Sequence, residues 1–484
     1  MNMCFVLRFG ALLATAISAF RAAALIDYTR YALRPEPSSV SVTFADGINS
    51  RGFAWQTDAS VTTGEVRLVK GKADAAAFES TPLVFAGGSV RQEIPNAVRH
   101  GAVATGLRPG SRYSYRIGGD GHYIYGEFSV RDYKTAFTAL NFNDVQIKRP
   151  DRLNMWDETL AASRKIVGNG DQVDFILSGG DFIDAWFWKT TNFVHGTVSR
   201  PIEWAVAADT ANAYYPSVPW VSAPGNHDFW LYDSFTRVRR RPGTPPGCQS
   251  LDCARVHIAA VPYIKETQGV HFERMRSWLA ADLKCARDSG ATYWSIVCIH
   301  WGPYTTGDHG AANSTTNIVL KLAPLFASNR VDLVLQAHDH TFSKTLPYRW
   351  DGLGYTLSEN DGEAINLKPV QTVFEGETYN LNPRGTYYVS CGSAGHRAGE
   401  NAAYARIGGK RSFTRRRYKI ATGRINVDSK WGKRGDCASD DIDRSMFGVL
   451  RVDGRRLMYD FYIVAPGGEP VLYDTLRILK EDKN

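Results

Sequence analysis

Five apolar, strand-like runs of this chain each lead into a residue that can hold a metal ion, and this repetition limits the possible folds more than any other feature. FTALNF runs into Asn143-Asp144-Val145-Gln146, VDFILS into Gly180-Asp181-Phe182-Ile183-Asp184, and WVSAP into Gly225-Asn226-His227-Asp228. YWSIVCIH ends on His300, and VDLVLQAH carries the run Ala337-His338-Asp339-His340. A lone Asp after a strand is ordinarily a turn or capping residue, and a lone His is ordinarily a satisfied core residue. Five such residues in succession, all at one structural station, call for a shared cause. In open α/β sheets, sites form outside the carboxyl ends of strands, so these segments should converge on one crevice. Carboxylates, imidazoles and one amide suit two hard-to-borderline ions rather than a thiolate-rich structural zinc site.

The rest of the chain supplies the frame for that crevice. With 484 residues, 44% apolar and 22% charged, it has the composition of an ordinary globular protein and the length of two domains. From Ser39 to Val130 short alternating strands are punctuated by Gly, Pro and Asp, which predicts a small β-sandwich. After Thr135 apolar strands alternate with helical patterns, which predicts a mostly parallel or mixed sheet covered by helices. Helices are expected over Trp156 to Val167 and Phe272 to Arg287; in the second, Phe272, Met275, Leu279 and Leu283 recur at helical spacing. Further strands are expected at TYYVSC, FGVLRV and LMYDFYIV, and an irregular insertion at about 345–435.

Residues 1–24 read as a signal peptide: Arg8, then a 12-residue apolar run from Phe9 to Phe20, then Ala22, Ala23 and Ala24. That run is short of the roughly 20 residues a membrane span needs, so the mature chain is expected to be secreted or periplasmic, without a transmembrane segment. Its removal takes Arg8 and Arg21 and lowers the formal charge from +8 to +6. Such a charge favours anionic substrates. The basic clusters at Arg237 to Arg241 and Lys410 to Lys419 read as solvated loops, and no stable nucleic-acid partner is expected. Outside the signal six cysteines remain, at 248, 253, 285, 298, 391 and 437. Cys248 and Cys253, which close a short ring in a Pro/Gly-rich loop, are the expected disulfide. Cys298, inside an apolar strand, is expected to be a buried thiol.

The ordered run of Asp144, Gly180-Asp181, Gly225-Asn226-His227-Asp228, His300 and the paired His338 and His340 resembles the calcineurin-like metallophosphoesterases. Gly106-Leu107-Arg108-Pro109 followed by Tyr113 and Tyr115 resembles the tyrosine-corner segment of fibronectin type III domains. Together these are most similar to the purple acid phosphatase branch. The resemblance implies a fibronectin type III-like all-β sandwich over 25–132 and, over 133–484, an α/β metallophosphoesterase domain in which a β-sandwich is flanked by helices. It also implies two metal ions, Fe, Zn or Mn. Asp181 would bridge them, Asp144 and His340 would complete one site, and Asn226, His300 and His338 would hold the other. Three positions depart from the family pattern. Asp184 stands where purple acid phosphatases carry a metal-binding Tyr, Gln146 where other members carry a His, and Ala337 where the family has Gly. Gln146 and Asp184 are therefore possible ligands or supports of the ligands.

The implied activity is hydrolysis of phosphate monoesters by attack of a metal-bound hydroxide. His227 is the expected general acid, oriented by its neighbour Asp228, and His309 resembles a second pocket histidine of the acid phosphatases. The same ions would also serve a phosphodiesterase or nucleotidase, since loops rather than ions choose the ester. A non-catalytic secreted binding protein is the alternative from another class, but it would have no need of so complete a set of ligands.

Overall fold

The computed structural model describes residues 33–91, 97–147, 155–168, 172–184, 199–228, 243–304, 313–340, 342–345, 347–349, 365–366, 369–395, 445–465 and 467–481. His309, residues 1–24, Cys437, the 237–241 cluster and the 410–419 cluster lie outside them. Eight strands come first: β1 (Ser38–Thr43), β2 (Arg51–Thr57), β3 (Glu65–Lys70), β4 (Leu83–Ala86), β5 (Gly88–Arg91), β6 (Val98–Ala104), β7 (Ser111–Gly119) and β8 (His122–Val130), with a one-turn helix α1 (Ala77–Ser80). They form two facing layers, β1-β2-β6-β5 and β4-β3-β7-β8. The core between them includes Val42, Phe53, Trp55, Val66, Leu68, Tyr113, Ile117 and Phe128. The hydroxyl of Tyr113 accepts the backbone N–H of Arg108 at 3.1 Å, which locks the corner before β7.

The larger unit begins at β9 (Ala136–Asn141) and continues with α2 (Trp156–Val167), β10 (Phe175–Ser178), α3 (Ser199–Tyr214), β11 (Trp220–Ser222), β12 (Gln249–Cys253), β13 (Val256–Val261), α4 (Val270–Asp288), β14 (Trp294–Trp301), α5 (Asn313–Ser328) and β15 (Leu333–Ala337). The remaining strands are β16 (Phe342–Lys344), β17 (Tyr348–Arg349), β18 (Ile365–Asn366), β19 (Val370–Phe374), β20 (Glu377–Leu381), β21 (Tyr387–Cys391), β22 (Met446–Asp453), β23 (Arg456–Ala465) and β24 (Glu469–Leu479). One sheet runs β19-β20-β24-β23-β22-β9-β10-β11 and continues through β1 into the first layer of the N-terminal sandwich. The joint is a parallel pairing of Thr43 with Trp220. The second sheet is β12-β13-β14-β15-β21-β16.

Strands β13, β14, β15 and β21 pair in parallel and are buried almost throughout. Their continuous apolar sequences follow from having both faces covered. One face meets the other sheet across Leu177, Val221, Ile258, Ile296, Leu335 and Leu450. The outer faces take helices: α2 and α3 lie on the first sheet through Trp156, Leu160, Trp204 and Ala207, and α4 and α5 on the second through Phe272, Met275, Leu279 and Leu322. The layers are therefore helix, sheet, sheet, helix. Among the described residues, no helix is long and apolar enough to cross a membrane.

Two expectations are corrected. Cys248 and Cys253 are not joined in a disulfide. They are five residues apart along an extended segment, an odd spacing that sends them to opposite faces. Cys253 enters the core between the sheets and Cys248 the core under α4. The 345–435 stretch is also not wholly irregular, because β19 and β20 form a hairpin and β20 adds to β24 in parallel.

His257 on β13 ties the β12–β13 hairpin to α4. Its Nδ1–H donates to Asp252 at 2.8 Å and its Nε2–H to Asp282 at 2.9 Å. Burial alone would lower its pKa, but the two carboxylates overcome this and raise it to about 9. Because the folded value lies above that of a free imidazole, the stabilisation is complete below about pH 6.5 and is lost as pH rises through about 9. Replacing His257 with Gln should cost at most roughly 2–3 kcal/mol near neutral pH. Denaturant unfolding at pH 6.5 and pH 10 checks this: the gap between wild type and variant should close at the higher pH, and a constant gap would contradict it.

Candidate metal centre

The loops after β9 and β10 stay paired beyond the strands themselves. Asp144 N–H donates to Gly180 O at 3.0 Å, Gln146 N–H to Asp181 O at 2.8 Å, and Ile147 N–H to Phe182 O at 3.1 Å. This pairing brings Asp144 and Asp181 side by side at the carboxyl edge of the first sheet. Asn143 fastens that edge to the second sheet. Its side-chain oxygen accepts Gly179 N–H at 2.8 Å, and its amide nitrogen donates to Gln336 O at 3.1 Å, next to Ala337-His338. The contact is close enough that a Cβ on Gly179 would stand 2.6 Å from that of Ala337. The glycine at 179 thus makes room for alanine at 337.

At the seam, four side chains converge. His300 Nδ1–H donates to Gly179 O at 2.8 Å, which leaves Nε2 facing the crevice. Around Nε2 lie Asn226 Oδ1 at 2.8 Å, His338 Nδ1 at 3.1 Å and Asp181 Oδ2 at 3.3 Å. Donor atoms of Asp181, His300 and His338 all fall within 4.8 Å of one another. A single proton on Nε2 cannot serve three neighbours, whereas a cation at their centre accepts a lone pair from all four. The residues present therefore fit a metal ion by the chemistry of their donor set. A second position is outlined by Asp144 and His340, with His340 Nε2 3.6 Å from Asp144 Oδ1.

The electrostatics agree with a cation site. Asp144, Asp181 and Asp228 are almost fully buried. Burial pushes all three pKa values up; for Asp181 the charges of His300 and His227 outweigh it and hold the carboxyl well below the usual range. For Asp144 and Asp228 burial prevails, with the charge of Asp181 adding to it. His300 is raised to about 9, burial being overcome chiefly by the charge of Asp181. The backbone is strained at the same place: Asp144, Gln146, Asp181 and His338 have φ of 50°, 40°, 58° and 73°. Left-handed conformations at non-glycine residues persist only where the surroundings enforce them, and they cluster at functional sites.

The structure corrects the expected role of Asp228. Its carboxylate accepts backbone N–H groups of Asp181 at 2.6 Å, Phe182 at 2.8 Å and Gly225 at 2.9 Å, so it cages the loops after β10 and β11 rather than orienting His227. Gly225 is required in that cage, since a Cβ there would meet Asp181 Oδ1 at 2.0 Å. His227 is oriented by Asp184 instead: Nδ1–H donates to Asp184 O at 2.6 Å, and Nε2 stands 3.9 Å from Asp181 Oδ2. Gln146 Nε2 donates to Asp181 Oδ2 at 3.2 Å. Tyr263, just after β13, was not singled out from sequence. It is stacked on Trp301 at 5.3 Å, and its ring lies 6.0 Å from His300 and 5.8 Å from His338, forming an aromatic wall. Its one sequence signal was its place at the carboxyl end of an apolar run.

Comparisons with known proteins point the same way. Residues 137–342 match the calcineurin-like phosphoesterase family. Over 152 residues the chain is 27% identical to an uncharacterized protein of Mycobacterium tuberculosis strain H37Rv, which covers 27% of this chain and 28% of the relative's length. It is 25% identical over 404 residues to acid phosphatase type 7 of Danio rerio, covering 75% of this chain and 79% of that protein. The fold superposes on a purple acid phosphatase from yellow lupin (Lupinus luteus) seeds with a TM-score of 0.55 at 14% identity, covering 92% of this chain and 75% of that one. Fold, site geometry and family match together mark the class of protein this chain resembles, the phosphoesterases. Over residues 137–342 the chain is similar to the calcineurin-like phosphoesterases, and over its length it is purple acid phosphatase-like.

The caging role of Asp228 has a measurable consequence. Asp228→Asn turns an amide N–H toward backbone N–H groups and leaves at least one of them unpaired, which should cost about 1–3 kcal/mol. Urea unfolding of the variant checks this, and a stability equal to wild type would contradict it.

Proposed function

We propose that this chain is an exported phosphatase that hydrolyses phosphate monoesters at a dinuclear metal centre. The observation that carries the reading is the convergence of Asn226 Oδ1, His338 Nδ1 and Asp181 Oδ2 on His300 Nε2. Asp181, Asn226, His300 and His338 would hold one ion, and Asp181, Asp144 and His340 the other. Such a pair supplies an activated water and positive charge for the equatorial oxygens of the phosphoryl group. The preceding β-sandwich, with its Tyr113 corner, is read as fibronectin type III-like. Export rests on the composition of residues 1–24, and N-terminal sequencing of secreted material should begin between Phe20 and Leu25; an intact Met1 on a cytoplasmic protein would contradict it.

The chain's own contribution to proton movement is assigned to His227. Its Nδ1–H is engaged by Asp184 O, so the ring is fixed with Nε2 turned toward Asp181, and the side chain as a whole is 28% exposed. A proton held at Nε2 can pass to a departing alkoxide. Asp181 fixes the main chain at this residue, its Oδ1 accepting the backbone N–H of His227 at 2.9 Å.

Turnover of an aryl phosphate should vanish on chelation and return with added metal. His227→Ala should retain metal but slow alkyl phosphates by about 10²–10⁴-fold, the range of general acid catalysis. Activated aryl phosphates, whose phenolate leaves without a proton, should slow far less. Equal slowing of both esters would remove His227 from the acid role, and chelator-insensitive turnover would remove the metal centre. Faster turnover of a bis-aryl phosphate than of its monoester would replace phosphatase by phosphodiesterase.

A further inference from the structure

The two metal positions are not equally equipped. The position around His300 gathers four protein groups: Asp181, Asn226, His300 and His338. The position beside Asp144 gathers Asp144, His340 and the shared Asp181. The two further side chains that the sequence offers for it, Gln146 and Asp184, both engage protein groups. Gln146 is buried with φ of 40°, and that conformation sets its amide on Asp181: the backbone N–H donates to Asp181 O and Nε2 to Asp181 Oδ2, the carboxylate oxygen that also faces His300. Asp184 is turned to His227, its carbonyl accepting Nδ1–H and its carboxylate lying 3.6 Å from the same nitrogen.

We infer that Gln146 works on the shared carboxylate and not on a cation, so that the chain holds one ion tightly at the His300 position and a second, exchangeable ion at the Asp144 position through three protein groups. The inference rests on the metal centre proposed above. Two carboxylates and one imidazole make the weaker position oxygen-rich, which suits a hard ion of the Mn²⁺ class. The left-handed backbone at Gln146 is the structural investment that aims the amide at the shared carboxylate.

Equilibrium dialysis of chelator-stripped, full-length protein against Mn²⁺, with free Mn²⁺ counted by electron paramagnetic resonance, tests this without reference to turnover. Wild type should bind one equivalent at least 100-fold more tightly than the second. Gln146→His, which places an imidazole at the weak position, should tighten the second equivalent at least tenfold while keeping the first, whose retention also reports that the fold is intact. Gln146→Ala should leave the second equivalent within about tenfold of wild type, inside the lower range of losses seen when a supporting residue is removed. Two equivalents of equal affinity in wild type would overturn the inference, as would loss of the second ion in Gln146→Ala or no gain in Gln146→His. A wild-type chain that binds no Mn²⁺ or Zn²⁺ at all would instead overturn the metal centre on which the inference depends.

Discussion

Three buried carboxylates, those of Asp144, Asp181 and Asp228, lie together at the edge where the two sheets meet. Removing one carboxylate from water is costly, and gathering several would drive them to protonate or push the loops apart. Each is held by a different device. Asp228 is held by backbone, accepting three N–H groups. Asp144 receives the backbone N–H of His338 on both oxygens, at 3.1 and 3.2 Å. Asp181 is surrounded by imidazoles, and the crowding of lone pairs around His300 Nε2 is the arrangement a cation resolves. The strained backbone at four of the surrounding residues is tolerable only because this network fixes both ends of each loop.

Asn143 determines whether the two halves of the site can meet. It sits on β9's continuation, yet its amide bonds Gly179 after β10 and Gln336 on β15, so one side chain spans both sheets. Behind it Asn141 donates to Asn143 Oδ1 at 3.2 Å and accepts the Tyr459 hydroxyl at 2.7 Å, which anchors the clasp in the core between the sheets. Gly179 completes the line, because its carbonyl takes His300 Nδ1–H. A polar chain therefore runs from the buried centre of the molecule to the ring nitrogen that organises the site. Such outer partners set ligand orientation as much as the ligands themselves do.

The stations of the site were legible because each candidate ligand follows an apolar run, and that pattern survives without knowledge of how the strands pair. Helix Trp156–Val167 was legible to its ends, where Asp157 and Glu158 open it and Gly168 closes it. The β12–β13 hairpin was not, because its two-residue turn is Ala254-Arg255, both at positive φ, with neither Asn nor Gly to mark it. The β19–β20 turn, Glu375-Gly376, did carry such a mark but sat within a Gly- and Asn-rich stretch read as irregular. Adjacency in sequence misled twice. Asp228 beside His227 suggested a pair, while the tight turn sends Asp228 inward and His227 toward Asp184. Cys248 and Cys253 suggested a bridge, while strand alternation divides them between two cores. Tyr263 could not be weighed from sequence because its place depends on the second sheet's meeting the first.

Thermal unfolding of chelator-stripped protein, before and after reloading with metal, measures most directly whether cations hold these carboxylates together. A cation present at about 1,000 times its dissociation constant adds about 4 kcal/mol to the folded state. Reloaded wild-type protein should therefore unfold several degrees above the stripped form, and Asp181→Asn, which lacks the shared charge, should gain much less. Coincident unfolding of stripped and reloaded wild type would contradict the cation-held seam.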